Sequence, residues 1–78
     1  MTINEKYDNV FIEKFSVKAS ELSTLKYQEV SGWDSVGHME LIAALEEVFD
    51  ISLDTDDIID FSSYEKGKEI LKKYNISL

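Results

Sequence analysis

The chain's 78 residues suffice for one domain with a single core and leave nothing for a second, and with 44% hydrophobic side chains and no cysteine that core must form by packing alone. Sixteen acidic residues against eight lysines give a formal net charge of -8, a field that repels phosphate backbones and anionic lipid headgroups, so nucleic acid and membrane are excluded as partners and basic proteins are favoured. The opening MTINEKYDNVF is charged where a signal peptide needs an apolar run, and no stretch is long and apolar enough to span a bilayer, which reads as a cytoplasmic chain.

From Ile3, the apolar residues Tyr7, Val10, Phe11 and Phe15 recur at helical spacing and predict an amphipathic first helix. Residues 16 to 33 mix Ser, Lys and Glu with isolated apolar positions such as Leu22, Leu25 and Val30, so they form a long loop that tacks onto the core and has room for short helical turns. Asp34 is a preferred N-cap, and a second helix runs from it to about Phe49. At 100° per residue, Leu41, Ile42, Leu45, Val48 and Phe49 share the core arc. Val36, Met39, Glu40, Ala43 and Glu47 share another, whose mixture of apolar and acidic side chains suits a basic partner with an apolar hollow as well as it suits plain solvent.

Thr55 is placed to cap a short third helix from Asp56 to about Phe61, and Ser62 with Glu65 makes the S-x-x-E capping-box spacing at the start of a fourth. There is no proline and no alternating strand pattern. The expected architecture is all-α, one domain over residues 1–78: a four-helix bundle of three longer helices and one short third helix, with a long loop between the first two.

Ser35, in the stretch GWDSVGHMEL, is the residue with chemistry to offer, and three uses are open to it. A hydrolase nucleophile elbow needs G-x-S-x-G after a strand; Gly37 fits the last position, Trp33 stands where the first glycine belongs, and no strand precedes. A capping role needs nothing further. Covalent attachment of a phosphate ester is the third use, because free first-turn amides and the positive end of the helix dipole suit the charge. A calcium loop in the acidic run from Asp54 fails at Ile58 and Ile59, where a ligand and a glycine are required.

Asp34-Ser35 opening a helix, followed by Met39-Glu40-Leu41 and by Leu45-Glu46-Glu47-Val48-Phe49, resembles the acyl carrier protein family, and length, acidity and helix order agree over nearly the whole chain. The resemblance implies that Ser35, next to Asp34, carries 4′-phosphopantetheine transferred from coenzyme A by a phosphopantetheinyl transferase, and that an acyl, aminoacyl or hydroxyacyl group rides on it as a thioester. It implies a monomeric carrier with no catalytic residue and no metal, handed between an acyl- or aminoacyl-loading ligase and downstream enzymes of fatty-acid or specialised biosynthesis. Val36, Met39, Glu40, Ala43 and Glu47 are the expected contact face for their basic docking surfaces.

Three residues depart from the familiar pattern. Val36 stands where leucine is usual, and Gly37 and His38 replace acidic or hydroxyl residues. Trp33 resembles the free-standing carriers of specialised pathways, or else serves as an aromatic lid over the helix start. His38 falls at the upper end of the core arc and is expected to be a partly buried structural residue. Ile58, Ile59 and Phe61 are expected either to line a cleft against the second helix or to lie in the core. The alternative to a carrier is a small acidic helical interaction domain in which Asp34 and Ser35 are only a cap.

Overall fold

In the computed structural model, which describes residues 2–78, the chain forms four α-helices and one short 3₁₀ helix. Helix α1, Ile3–Phe15, begins at a reciprocal capping box: Thr2 accepts from the Glu5 amide at 3.1 Å and Glu5 accepts from the Thr2 amide at 3.0 Å. Those bonds from Thr2 hold the Glu5 carboxyl below its ordinary value. Ser16 ends the helix in the left-handed conformation, φ 54.

The loop that follows contains the 3₁₀ helix Ala19–Thr24, which buries Leu22, and is then stitched to the far end of the chain. Lys26 bridges to Ser63, Tyr27 N–H donates to the Ser62 carbonyl at 2.9 Å, and Tyr64 N–H donates to the Leu25 carbonyl at 3.1 Å. A long polar loop thereby acquires backbone partners and a fixed course.

Helix α2 is Ser35–Phe49, α3 is Thr55–Asp60 and α4 is Tyr64–Lys72. The expected all-α bundle with a short third helix is what forms, with two caps displaced. Asp54, not Thr55, is the N-cap of α3. Ser63, not Ser62, caps α4, its Oγ accepting from the Lys66 amide at 3.0 Å. The cause is the loop: Ser62 is occupied by Tyr27 and Ser63 by the bridge to Lys26, so the chain stays extended one residue longer.

Leu41, Ile42 and Leu45 of α2 are buried as their arc predicts and Phe49 packs half-buried against the core, but Val48 on the same arc is 41% exposed. An aromatic cluster runs through the core. Phe11 and Phe15 of α1 meet Trp33, with the Phe15 and Trp33 rings stacked at 5.1 Å, and Phe61 and Tyr64 close the other side against Phe11. Tyr7 donates its hydroxyl to the Tyr64 carbonyl at 2.7 Å, and burial pushes that phenol well above its ordinary value. Among the described residues no helix is long and apolar enough to cross a membrane.

Candidate functional site

Asp34 sits ahead of α2 in extended conformation, and its Oδ1 accepts from the Gly37 amide at 2.8 Å. The cap fixes where the helix begins, so Ser35 occupies the first helical position with its side chain exposed. First-turn amides have no acceptor within the helix and carry the positive end of its dipole, which makes the surroundings of Ser35 Oγ suited to negative charge.

Ser35 opens on a cleft of about 410 Å³ between the start of α2 and α3. One wall is Tyr27, Ser35, His38 and Met39; the other is Ile58, Ile59, Phe61 and Ser62. Both options for the third helix are realised: Phe61 is buried in the core, while Ile59 is 71% exposed at the cleft. The sequence points to neither Tyr27 nor Ser62 as a cleft residue: Ser62 reads only as a cap of the fourth helix. An isolated tyrosine in a polar loop carries no periodicity, and only the stitch between residues 26–27 and 62–63 brings both to the cleft.

His38 is partly buried and its ring is held at both ends. Trp33 Nε1–H donates to His38 Nδ1 at 3.0 Å, which leaves Nε2 to carry the proton and donate to the Ile58 carbonyl at 2.8 Å. The histidine ties the start of α2 to α3, so it sets the width of the cleft and is spent as a donor or acceptor. Trp33 is fully buried.

Gly37 is explained by its neighbour in space. A Cβ there would lie 1.7 Å from the Gly32 carbonyl oxygen, so the loop before Asp34 can lie on α2 only because residue 37 has no side chain. Trp33, Gly37 and His38 therefore form one packing unit that folds the loop onto the helix.

Helix α3 is fastened from its other side by Asp57, which is 4% exposed and accepts from Lys73 Nζ and from the Tyr74 hydroxyl, each at 2.5 Å. The bond from Lys73, then that from Tyr74, lowers the Asp57 carboxyl below its ordinary value, and the same pairing raises Lys73.

Val36 and Met39, 69% and 55% exposed, stand on the outward side of α2 together with exposed Glu40, Ala43 and Glu47. Glu40 is not a free charge: it pairs with Lys14 of α1.

Comparison with known proteins places this geometry. The family described as "Phosphopantetheine attachment site" matches residues 13–66, which include Ser35 and both walls of the cleft. The chain is 33% identical over 76 residues to an acyl carrier protein of Nitratidesulfovibrio vulgaris (strain DSM 19637 / Miyazaki F), covering 88% of this chain and 100% of that protein. It is 28% identical over 75 residues to an acyl carrier protein of Buchnera aphidicola subsp. Acyrthosiphon pisum (strain Tuc7), covering 95% of this chain and 94% of that protein.

Proposed function

This chain belongs to the acyl carrier protein family, carriers rather than catalysts with a covalently attached 4′-phosphopantetheine, and on that premise we propose that residues 1–78 are one carrier domain with Ser35 as the attachment point. The observation that carries the reading is the position of Ser35: an exposed hydroxyl at the capped, positive start of α2, opening directly on an apolar cleft. The residues present fit the group. Ser35 supplies the oxygen for the phosphate ester, the first-turn amides favour its charge, and Asp34 holds the turn in place without occupying Ser35. Bound there, the prosthetic group supplies a terminal thiol that holds the cargo as a thioester.

The cargo in this reading is an acyl, aminoacyl or hydroxyacyl group delivered by a loading ligase and passed to later enzymes of a biosynthetic pathway. Val36, Met39, Glu40, Ala43 and Glu47 would meet those enzymes: the carboxylates steer basic surfaces over distance, and the exposed apolar side chains beside the cleft make the short-range contact. Packing accounts for Trp33, Gly37 and His38, so their departure from the familiar pattern does not by itself point to a particular cargo.

The test is incubation with coenzyme A and a broad-specificity phosphopantetheinyl transferase, followed by intact-mass measurement. The wild type gains one phosphopantetheine and Ser35→Ala gains none while keeping its helical circular dichroism, since Asp34 still caps α2. A Ser35→Ala variant that still loads sinks the assignment. A wild type that never loads supports the alternative, an acidic interaction domain.

A further inference from the structure

Resting on the assignment of Ser35, we propose that Tyr27 is a second binding residue for the phosphodiester of the prosthetic group: its hydroxyl, 3.3 Å from Ser35 Oγ, is the donor that this chain holds ready for the anionic phosphate oxygens.

The placement is built, not incidental. Tyr27 N–H is bonded to the Ser62 carbonyl at 2.9 Å, and the next residue, Gln28, turns at φ 67 and donates its amide to the Trp33 carbonyl at 2.9 Å. The Tyr27 ring then meets the His38 ring edge-on, centroids 5.4 Å apart, and His38 is itself held by Trp33 and by the Ile58 carbonyl. Both the backbone and the ring of Tyr27 are therefore fixed before any ligand arrives, and little conformational freedom is left to lose on binding.

Elimination points to the same residue. The chain has no arginine and no lysine lines the cleft. Both His38 nitrogens are engaged, and Met39, Ile58, Ile59 and Phe61 bring no side-chain donor. Ser62 is the other hydroxyl on the lining, but Tyr27 is the one within bonding reach of Ser35.

In the unmodified chain either hydroxyl can be the donor. Esterification replaces the Ser35 hydroxyl proton with a bond from Oγ to phosphorus, so from then on only Tyr27 can donate. The non-bridging oxygens of a phosphodiester share a full negative charge, and hydrogen bonds to charged acceptors are the stronger kind. The bond that in the unmodified chain is long and neutral thus gains a better acceptor on modification, and the Ser35 side chain loses rotational freedom as a result.

The experiment compares the loaded wild type with loaded Tyr27→Phe, with intact mass confirming one phosphopantetheine on each. Phenylalanine keeps the ring against His38 and removes only the hydroxyl. The expected results are a displaced ³¹P resonance of the phosphodiester in Tyr27→Phe, with the methyl resonances of buried Leu41 and Leu45 unmoved, and a shift of the Tyr27 Cζ carbon when the wild type is loaded. Coincident ³¹P resonances in the two loaded proteins overturn the proposal. So does a Tyr27 Cζ that does not respond to loading, a measurement made on the wild type and independent of how the variant folds. Failure of the wild type to load, by contrast, refutes the Ser35 assignment and is read from the mass alone.

Discussion

Trp33 Nε1–H donates to His38 Nδ1 at 3.0 Å, and this bond dictates which nitrogen of the neutral imidazole carries its proton. With Nδ1 used as an acceptor, the proton sits on Nε2 and faces the Ile58 carbonyl at 2.8 Å. A fully buried indole is satisfied by the same ring that ties α2 to α3, so two requirements of the fold meet in one side chain.

His38→Ala should therefore destabilise the protein by about 1–3 kcal/mol, the range for leaving a buried donor without a partner. Urea unfolding measures the loss. In the wild type, ¹⁵N spectra of the neutral ring should show hydrogen on Nε2 and none on Nδ1; the opposite tautomer would break the link between Trp33 and α3. The cleft should loosen in the variant, since α3 loses its bond to α2 while its ties through Asp54 and Asp57 lie on the other side.

Gly37→Ala is a test of sign. Inside a helix, alanine is favoured over glycine by about 1 kcal/mol, so propensity alone predicts a higher melting temperature. The Cβ would lie 1.7 Å from the Gly32 carbonyl oxygen, and Gly32 itself turns at φ 92, a conformation other residues rarely adopt. The melting temperature should fall, and the Trp33 fluorescence should change as the loop is lifted. A rise would mean that the loop relaxes without loss and that Gly37 is merely tolerated.

Asp57 makes stability depend on pH in a defined direction. Its folded carboxyl is lowered from 3.8 by the bonds from Lys73 and Tyr74, so the unfolded chain takes up the proton more readily than the folded one. The contribution is complete above the unfolded value and is lost as pH falls through the folded one. Lys73 acts oppositely: raised from 10.5, it contributes below its unfolded value and loses that contribution as pH climbs through the folded one. Asp57→Asn should be less stable than wild type at neutral pH, with the gap closing as pH falls through the lowered folded value of the carboxyl. Melting temperature against pH for both proteins decides the matter; parallel curves would remove Asp57 from the acid limb.

Charge reversal on α2 separates recognition from folding. Glu47→Lys should leave stability nearly unchanged, because the side chain is exposed. Glu40→Lys should cost somewhat more, since it turns the pair with Lys14 into a repulsion, and an exposed pair is worth about 0.2–1 kcal/mol. The double variant should accept phosphopantetheine more slowly at low ionic strength, and added salt should narrow the gap to wild type. Transfer rates that match wild type at low salt would show that this face is only solvated.

Sequence alone determined the helices, the cap that starts α2, the serine behind it and the acidic face beyond. Each is legible because its cause is local: apolar residues repeating every three or four positions, a carboxylate ahead of free amides, charges left on the side away from the core. Family resemblance through Asp34-Ser35 and the following helix rests on the same contiguous stretch.

Tertiary structure decided what depends on residues distant in the chain. Ser62 looked like a cap and is instead bonded through its carbonyl to Tyr27, which moves the N-cap of α4 to Ser63. Val48 satisfied the core periodicity and is exposed while Phe49 beside it packs on the core, because periodicity assigns a face but not which of its positions a neighbour covers. His38 reads as a partly buried structural residue, Trp33 either as a mark of specialised carriers or as a lid over the helix start, and Gly37 as a departure from the familiar pattern. Their reason is a loop that folds back on α2, with a carbonyl in the space a Cβ would fill and an indole proton on an imidazole nitrogen. Tyr27 carried no signal at all, since its approach to Ser35 is created by a stitch between positions 27 and 62, a pairing that no local pattern encodes.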